Sequence, residues 1–286
     1  MNYSIEKFID EALAEDIVDY EGKIPTGDHS SLASIPDKKE GRAQLLCKAE
    51  GILAGVELAE IVFSRVDVEV KFEKILEDGA RIKKGDIAFK VYGEVKSILR
   101  AERVALNFMQ RMSGIATHTS KFVEQVKGTN AKILDTRKTT PNFRYFEKWA
   151  VRIGGGHNHR YGLYDMIILK DNHIDFCGGI EKAVIAVKKY QEENSLNLPV
   201  EIETRSIKDV EEALRVGNVN RIMLDNFSPE LIKQAVQLVN GKFETEASGG
   251  ITLDTVRSFA ETGVDYISVG ALTHSYVSLD LSLKAF

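Results

Sequence analysis

The sequence predicts an α/β protein whose C-terminal half is an α/β barrel. Six short apolar segments recur between about residues 131 and 269, and amphipathic stretches separate most of them. Repeated alternation of strand and helix is typical of a parallel sheet, although periodicity does not separate a barrel from an open doubly wound sheet. With six strands, we predict a TIM-like barrel that is either incomplete or closed by other elements. The strands are AKILD, MIILK, PVEIE, RIMLD, KFETEA and DYISV.

Helix boundary signals support this interpretation of the second half. Ser206 opens a capping-box pattern, and Ser228 followed by Pro229 supplies a capping hydroxyl and a residue suited to the first helical turn. Gly217 and Gly263 lie where the intervening helices should end.

The first half predicts a smaller α+β domain. Residues 1–20 have the pattern of an amphipathic helix, and residues 24–41, rich in Gly, Ser, Pro and Asp, are predicted to be loop. The segments RAQLLCKAE, VEVKFEKIL and IAFKVYG are predicted strands, with one helix near 57–66.

Residues 98–127 are helical by pattern, with a predicted break at Ser113-Gly114 because glycine is unfavourable inside a helix. We take that break as the domain border. The first domain then covers residues 1–113 and the barrel residues 114–286, with the C-terminal residues able to return to the first domain.

Composition narrows the class of protein. A formal net charge of −5 argues against nucleic acid or an anionic membrane as the main partner. Only Cys47 and Cys177 occur, far apart, so neither a disulfide framework nor a thiolate zinc site is expected. The N-terminus lacks the pattern of a signal peptide and no apolar run is long enough to cross a bilayer, so we expect a cytoplasmic protein.

Polar residues or glycines follow nearly every predicted strand of the second half. Such residues can be loop-entry caps, but their recurrence favours function, because the carboxyl ends of parallel strands meet at one rim. The residues at these ends are Thr136, Arg137, Lys138, Lys170, Glu203, Asp225, Ser248, Gly249, Gly250 and Gly270.

Between Asp135 and His173 there are seven Lys or Arg and four acidic residues, in a chain that is acidic overall. This local excess of cations, with His159 nearby, predicts a site for a compact polyanion. Three of the cations, at a spacing of four, are interpreted as a solvated helical face instead: Arg144, Lys148 and Arg152.

The stretch from Gly154 to Arg160, GGGHNHR, is better explained by function than by structure, since three successive glycines are entropically unfavourable. A metal site at His157 and His159 is the alternative. We rank it below anion binding, because no Cys or carboxylate at ligand spacing completes the set.

The carboxylates of Glu203 and Asp225 complete the candidate site. Glu201 and Glu203 share a strand face, with Glu203 nearer the rim. With Asp225, Glu203 could hold sugar hydroxyls directly or through Mg²⁺, which prefers oxygen ligands.

These residues closely resemble the nicotinate-nucleotide pyrophosphorylase (carboxylating) family, also called quinolinate phosphoribosyltransferase. The resemblance extends from about residue 40 to the end, and its most specific part is the block from GGGHNHR to KDNHI. One departure is Asn142, where family members commonly carry glycine. The other matching stretches are ERVALNFMQRMSGIAT, DTRKTTP, EIET, MLDNF, SGGI and ISVGALTH.

The resemblance implies a type II phosphoribosyltransferase that makes nicotinate mononucleotide from quinolinate and phosphoribosyl pyrophosphate, in de novo NAD biosynthesis. It implies an N-terminal α/β sandwich with a hammerhead-like motif, a C-terminal α/β barrel, and a homodimer or higher oligomer. Arg103 would complete the neighbouring subunit's site.

Residue roles follow from the same resemblance. Quinolinate would be held by Arg103, Arg137, His159, Arg160 and Lys170. Mg²⁺-pyrophosphate and ribose would be bound by Glu203 and Asp225, with Thr136 also a substrate contact. The catalytic set would be Lys138, Lys170, Glu203 and Asp225, with Lys138 facing pyrophosphate. The 5-phosphate would be bound at Ser248, Gly249, Gly250, Val269, Gly270, Ala271 and His274.

Three other functions stay open on the sequence alone. Molybdenum-associated homologues share much of the barrel pattern and use another acceptor. Residues 79–99 also resemble the hammerhead of biotinyl and lipoyl domains, with Lys96 as the modified lysine, although the Met-Lys-Met setting is missing. A Schiff-base or metal-dependent aldolase or decarboxylase would use Lys170.

Overall fold

A computed structural model of the chain describes residues 4–286. The helices are α1 (Ile5–Glu15), α2 (His29–Ser34), α3 (Val56–Val66), α4 (Val95–Gln125), α5 (Arg144–Ile153), α6 (Asp171–Cys177), α7 (Ile180–Glu193), α8 (Ile207–Val216), α9 (Pro229–Val239), α10 (Val256–Ala260) and α11 (Ala271–His274). The strands are β1 (Glu40–Cys47), β2 (Gly51–Ile52), β3 (Lys71–Lys74), β4 (Arg81–Ile82), β5 (Ile87–Glu94), β6 (Lys132–Leu134), β7 (Ile167–Leu169), β8 (Val200–Thr204), β9 (Arg221–Asp225), β10 (Glu244–Ser248), β11 (Tyr266–Ser268) and β12 (Leu281–Ala285).

The chain divides into two units, one containing the residues up to Thr117 together with Val277–Phe286, and the other containing His118–Tyr276. In the first unit, an antiparallel sheet has the order β12-β1-β5-β3, so the C-terminal strand returns to pair with β1. The rings of Phe72 and Phe89 lie 4.4 Å apart between centroids, and Phe63 of α3 is 5.9 Å from Phe89. These aromatic contacts hold α3 against the sheet.

The N-terminal predictions are correct in outline. The predicted first helix is α1, and residues 1–3 of that prediction lie outside the described residues. The loop predicted for 24–41 is wrong in its middle, where α2 forms. Asp28 caps this helix, since its carboxylate accepts the Ser31 N–H at 3.1 Å.

The predicted helix break at Ser113-Gly114 is also wrong, because α4 runs without interruption through both residues. A Cβ on Gly114 would collide with the carbonyl oxygen of Val277, so this position admits only glycine. Gly114 therefore permits a close backbone approach and does not end the helix. The two units divide at Thr117 and His118, within α4.

The second unit contains six parallel strands in the order β6-β11-β10-β9-β8-β7, and each of the six predicted strands is present. His157 makes a further parallel bridge to Leu134 of β6. Within residues 4–286, β6 and β7 do not pair, so the strand array is an incomplete barrel. The predicted α/β architecture is confirmed.

The predicted helix caps are present. The Ser206 hydroxyl accepts the Asp209 N–H at 3.2 Å, and the Ser228 hydroxyl accepts the Leu231 N–H at 3.4 Å. Gly217 follows α8 with a φ of 66°. These caps fix where the helices start and end, and therefore fix the length of the loops that follow the strands.

No helix within residues 4–286 combines the length and the apolar run that a membrane span requires. The two cysteines are unpaired, with Cys47 buried and Cys177 exposed.

Candidate active site

A cavity of about 180 Å³ opens at the carboxyl ends of the parallel strands. The residues that the sequence placed at strand ends and that line this cavity are Thr136, Arg137, Lys138, Lys170 and Ser248, whereas Glu203, Asp225, Gly249, Gly250 and Gly270 do not line it. The lining residues are Thr136, Arg137, Lys138, His159, Arg160, Ile168, Lys170, Met223, Glu246, Ser248 and Ser268.

The loop after β6 brings two exposed cations to this cavity. Its backbone is fixed because the Thr136 hydroxyl accepts the Lys138 N–H at 3.0 Å and the Thr273 hydroxyl donates to the Lys138 carbonyl at 2.9 Å. Within residues 4–286, the side chains of Arg137 and Lys138 make no hydrogen bond or ion pair. Their charges are therefore available to an anion.

The glycines before His157 are required by the backbone conformation and by close packing, so their interpretation as a sign of ligand binding is wrong. Gly155 has a φ of 87°, and a Cβ on Gly156 would lie 2.8 Å from Thr119 and 2.9 Å from Val151. They end α5 and let the chain pair with β6, where the His157 N–H donates to the Ile133 carbonyl at 2.8 Å. The glycines therefore position the segment His157–Arg160 without themselves lining the cavity.

His159 lies between two buried carboxylates. Its Nε2 is 3.1 Å from Glu201 Oε2 and 3.2 Å from Glu246 Oε2. Burial alone would lower the pKa of His159, but the two carboxylates outweigh it and raise the pKa to about 9. The Arg160 N–H donates to Nδ1 at 2.6 Å, so Nε2 is the nitrogen whose proton faces the carboxylates.

The sequence analysis found no carboxylate at ligand spacing from His159, but in the structure two carboxylates lie beside it, so this prediction is wrong. Glu201 and Glu246 come from two strands distant in sequence, so spacing could not reveal them. The three side chains offer ligand atoms within 4.8 Å of one another, of types that bind divalent cations. Glu246 is already paired with Arg221 at 2.9 Å, so the cluster carries its own cation.

Arg160 and Arg137 concentrate positive charge at the cavity. Burial lowers the pKa of Arg160, and the neighbouring charge of Arg137 lowers it further. The Arg160 guanidinium also donates to the Met166 carbonyl at 3.1 Å, which connects it to the segment just before β7. An anion bound between the two guanidinium groups would relieve their repulsion.

Lys170, Glu203 and Asp225 form a second polar group at the rim. Lys170 Nζ lies 3.0 Å from Glu203 Oε2. Burial raises the pKa of Asp225, and the nearby charge of Glu203 raises it further. Two carboxylates that oppose each other's ionisation provide the oxygen donors that Mg²⁺ prefers.

The loop after β10 has a conformation that requires glycine. Gly249 has a φ of 103°, and a Cβ there would collide with the Asn226 side-chain oxygen and lie 3.0 Å from the Asn226 backbone nitrogen. Gly250 also has a positive φ, of 61°. The start of this loop is held to the end of β9, since the Asn226 N–H donates to the Ser248 carbonyl at 2.8 Å.

Gly270 lies between two other candidate residues. A Cβ added to it would be 3.0 Å from Lys138 Cδ and 3.1 Å from His274 Nε2. The glycine thus allows Lys138 and His274 to approach the end of β11 closely. Val269, Gly270, Ala271 and His274 do not line the cavity itself.

The interpretation of Arg144, Lys148 and Arg152 as a solvated face is wrong for Lys148, while Arg144 is half-buried and Arg152 is exposed as predicted. Lys148 is completely buried and pairs with Asp135, and Arg144 donates to the Tyr161 carbonyl at 3.0 Å. Arg152 donates to Asn158 Oδ1 at 2.8 Å. A spacing of four places residues on one helix face but does not say whether that face meets solvent.

Asn142, where the family commonly has glycine, adopts a φ of 62°. Asn tolerates this left-handed conformation better than most residues, so the departure from the family pattern is compatible with the same loop.

Four lining residues were missed by sequence reasoning: Ile168, Met223, Glu246 and Ser268. Each lies two positions before a residue that was predicted at a strand end. Because side chains alternate along a strand, a spacing of two marks residues that point the same way, and this signal could have found them. Arg103 belongs to the first unit, where it is exposed on α4.

Two of the alternative functions fit poorly. Lys96 lies in the first turn of α4 and pairs with Asp37, whereas a carrier lysine needs an exposed turn. Lys170 lies among cations and is paired with Glu203, a setting suited to anion binding more than to a Schiff base.

Known proteins resemble this chain along nearly its whole length. The family model described as quinolinate phosphoribosyl transferase, C-terminal domain, matches residues 115–284, and the model of the N-terminal domain matches residues 28–113.

Full-length relatives agree with the two domain models. A quinolinate phosphoribosyltransferase [decarboxylating] from Nicotiana tabacum is 47% identical over 296 aligned positions, covering 99% of this chain and 82% of that protein. A probable nicotinate-nucleotide pyrophosphorylase [carboxylating] from Bacillus subtilis is 44% identical, covering 91% and 88%. The crystal structure of NadC from Streptococcus pyogenes superposes with a TM-score of 0.90 at 42% identity, covering 98% and 96%.

Proposed function

This chain belongs to the quinolinate phosphoribosyltransferase family, and we propose that it transfers phosphoribosyl from phosphoribosyl pyrophosphate to quinolinate with loss of carbon dioxide. The products are nicotinate mononucleotide and pyrophosphate, so the enzyme serves de novo NAD biosynthesis. The observation that carries the proposal is the convergence of Arg137, His159, Arg160 and Lys170 on one cavity beside Ser248.

The cationic side of the cavity is the proposed quinolinate site. Arg137 and Arg160 can each bind a carboxylate in a bidentate manner, and Lys170 supplies a point charge. His159 completes this side, where its ring is held between the Arg160 N–H at Nδ1 and the carboxylates of Glu201 and Glu246 at Nε2. Unpaired Arg137 supports the proposal most directly, since nothing in the described residues neutralises it.

Phosphoribosyl pyrophosphate is proposed to bind along the rim from Glu203 to the loop after β10. Glu203 and Asp225 would hold the ribose and, directly or through pyrophosphate, Mg²⁺, whose donor preference fits their carboxylates. Bound Mg²⁺ would supply charge neutralisation for the departing pyrophosphate. Lys138, with Thr136 at the base of its loop, faces the same pyrophosphate.

The 5-phosphate is proposed to bind backbone N–H groups of the loop after β10 and the segment after β11. Loops after the last strands of α/β barrels commonly build phosphate sites in this way. The residues concerned are Ser248, Gly249, Gly250, Val269, Gly270 and Ala271, with His274 as a further contact.

The chain's residues would act by positioning and by electrostatics, without a covalent nucleophile. The ribose carbon–oxygen bond to pyrophosphate breaks, leaving an oxocarbenium-like ribose, and the ring nitrogen of quinolinate forms the new bond. The cationic ring then accepts the electron pair of the adjacent carbon–carboxylate bond, releasing carbon dioxide, and the ring carbon takes up a proton. Lys170 and the arginines would hold both carboxylates until one of them leaves as carbon dioxide.

The assembly and compartment are part of the proposal. Arg103, exposed on α4, would complete the site of a second copy in a homodimer or a higher oligomer. Free Cys47 and Cys177 fit a reducing cytoplasm, although some plant relatives are named as mitochondrial or chloroplastic.

The direct test supplies purified protein with quinolinate, phosphoribosyl pyrophosphate and Mg²⁺ and measures nicotinate mononucleotide and carbon dioxide. We expect equal amounts of both products, loss of activity on chelation of Mg²⁺, and no product when nicotinate replaces quinolinate. Turnover of nicotinate, or none with quinolinate, would contradict the proposal and favour a transferase with another acceptor.

Replacing Gly249 with alanine tests the phosphate loop. The new Cβ collides with Asn226, so the loop must shift, and the KM for phosphoribosyl pyrophosphate should rise by about tenfold or more. The matched control is Gly241→Ala, which also has a positive φ, of 71°, but no atom within 4 Å of the new Cβ. If steady-state kinetics show the same KM in both variants, the loop does not bind this substrate.

A further inference from the structure

A buried ion pair lies directly beneath the proposed quinolinate site. Asp135 and Lys148 are both fully buried, and the Lys148 ammonium donates to Asp135 Oδ1. Asp135 follows β6 and precedes the loop that carries Arg137, while Lys148 lies on α5. A charged pair without solvent is maintained only where further hydrogen bonds satisfy it.

Those further hydrogen bonds go to a single peptide segment. The His159 N–H donates to Asp135 Oδ1 at 2.9 Å, and the His159 carbonyl accepts from Lys148 Nζ at 3.0 Å. Asn158 Nδ2 donates to Asp135 Oδ2 at 2.6 Å and to the Lys148 carbonyl at 2.9 Å. The ion pair thus holds the backbone of His159 on both sides.

The same pair therefore connects the two arms of the cationic site. One arm is the loop of Arg137, covalently joined to Asp135, and the other is the segment of His159 and Arg160. The Lys138 end of the first arm has its own anchors, since its carbonyl accepts from Thr273 and its N–H donates to Thr136. Disturbing the ion pair should move the arms relative to each other and leave Lys138 in place.

We propose that Asp135 and Lys148 are positioning residues that set the separation between Arg137 and the His159–Arg160 segment, and so determine affinity for the dicarboxylate acceptor. This inference rests on the proposed function, in which those three residues bind quinolinate. Neither Asp135 nor Lys148 lines the cavity, so they act through the residues they hold.

The test compares full-length Lys148→Met and the double variant Asp135→Asn with Lys148→Met. The single variant leaves a buried carboxylate without its partner and should lower the Tm, whereas the double variant removes both charges and should recover most of it. In both, the quinolinate KM should rise by about tenfold or more while the phosphoribosyl pyrophosphate KM stays within about threefold, because methionine cannot donate to the His159 carbonyl.

A control and an alternative variant keep the test decisive. Lys189→Met, on α7 with a side chain 72% exposed, should change neither KM. If the Lys148 variants do not fold, Asn158→Ala keeps the ion pair and its two hydrogen bonds to the His159 backbone. It removes the two hydrogen bonds that Asn158 Nδ2 donates to Asp135 and to the Lys148 carbonyl, and it should raise the quinolinate KM selectively. A recovered Tm together with a normal quinolinate KM in the double variant, or an unchanged quinolinate KM in Asn158→Ala, would overturn the proposal. Absence of turnover in the unmodified protein would instead contradict the proposed function itself.

Discussion

Replacing Arg137 with alanine is expected to lower kcat/KM for quinolinate by about 10- to 150-fold, since a charge-assisted hydrogen bond to a carboxylate contributes about 1.5–3 kcal/mol. The Arg137 side chain is exposed and has no hydrogen bond or ion pair within residues 4–286, so its removal should not disturb the fold. Steady-state kinetics with each substrate varied in turn, together with the Tm, give the measurement.

Two further variants make the result specific to the guanidinium. Arg137→Lys keeps the charge but loses bidentate geometry, and it should recover only part of the activity. Arg215→Ala removes an exposed arginine that pairs with Glu181 on the surface helices α7 and α8, and it should leave both KM values unchanged. Equal kcat/KM for quinolinate in Arg137→Ala and the unmodified protein would remove Arg137 from the site.

Parallel strands and their ends were predictable because two simple periodicities encode them. The run RIMLD is almost wholly buried in the structure, and Asp225 emerges where the burial ends. A short apolar run that ends in a polar residue therefore locates both the strand and its rim. The same reasoning selected Arg137, Lys170 and Ser248, which line one cavity in the structure.

The role of α5 was not predictable in this way, because amphipathic spacing does not identify what a polar face contacts. Lys148 looks like an ordinary surface lysine in sequence, yet it is buried against Asp135. The buried environment of Lys148 forms only when the chain after α5 folds back so that His157 pairs with β6. Long-range pairing of this kind leaves no local signal.

Glycines were ambiguous for a related reason. Gly114 was interpreted as a helix break and Gly156 as a sign of ligand binding, but both positions are explained by atoms of other residues that come close in the fold. Val277 excludes a side chain at Gly114, and Thr119 and Val151 exclude one at Gly156. A glycine in sequence indicates that something comes close, and the structure is needed to say what.

Arg221→Met is expected to destabilise the fold strongly, because it removes the cation from a buried charge cluster. Arg221 lies at the start of β9, almost fully buried, where it pairs with Glu246 at 2.9 Å and with Glu244 at 3.0 Å. Its guanidinium also lies 3.9 Å from the centre of the Tyr266 ring. Loss of the cation would leave His159 as the remaining partner of both Glu246 and Glu201. Breaking a buried pair in this way typically lowers the free energy of unfolding by about 3–5 kcal/mol.

The double variant Arg221→Met with Glu246→Gln separates lost charge pairing from lost packing. Because it removes both charges of the buried Arg221–Glu246 pair, most of the stability should return, as measured by the midpoint of urea unfolding. Arg215→Met is the exposed counterpart, since its pair with Glu181 is open to solvent and should contribute little. A double variant as unstable as Arg221→Met alone would show that the packing of Arg221 over Tyr266, rather than its neutralisation of Glu246, stabilises the interior of the barrel.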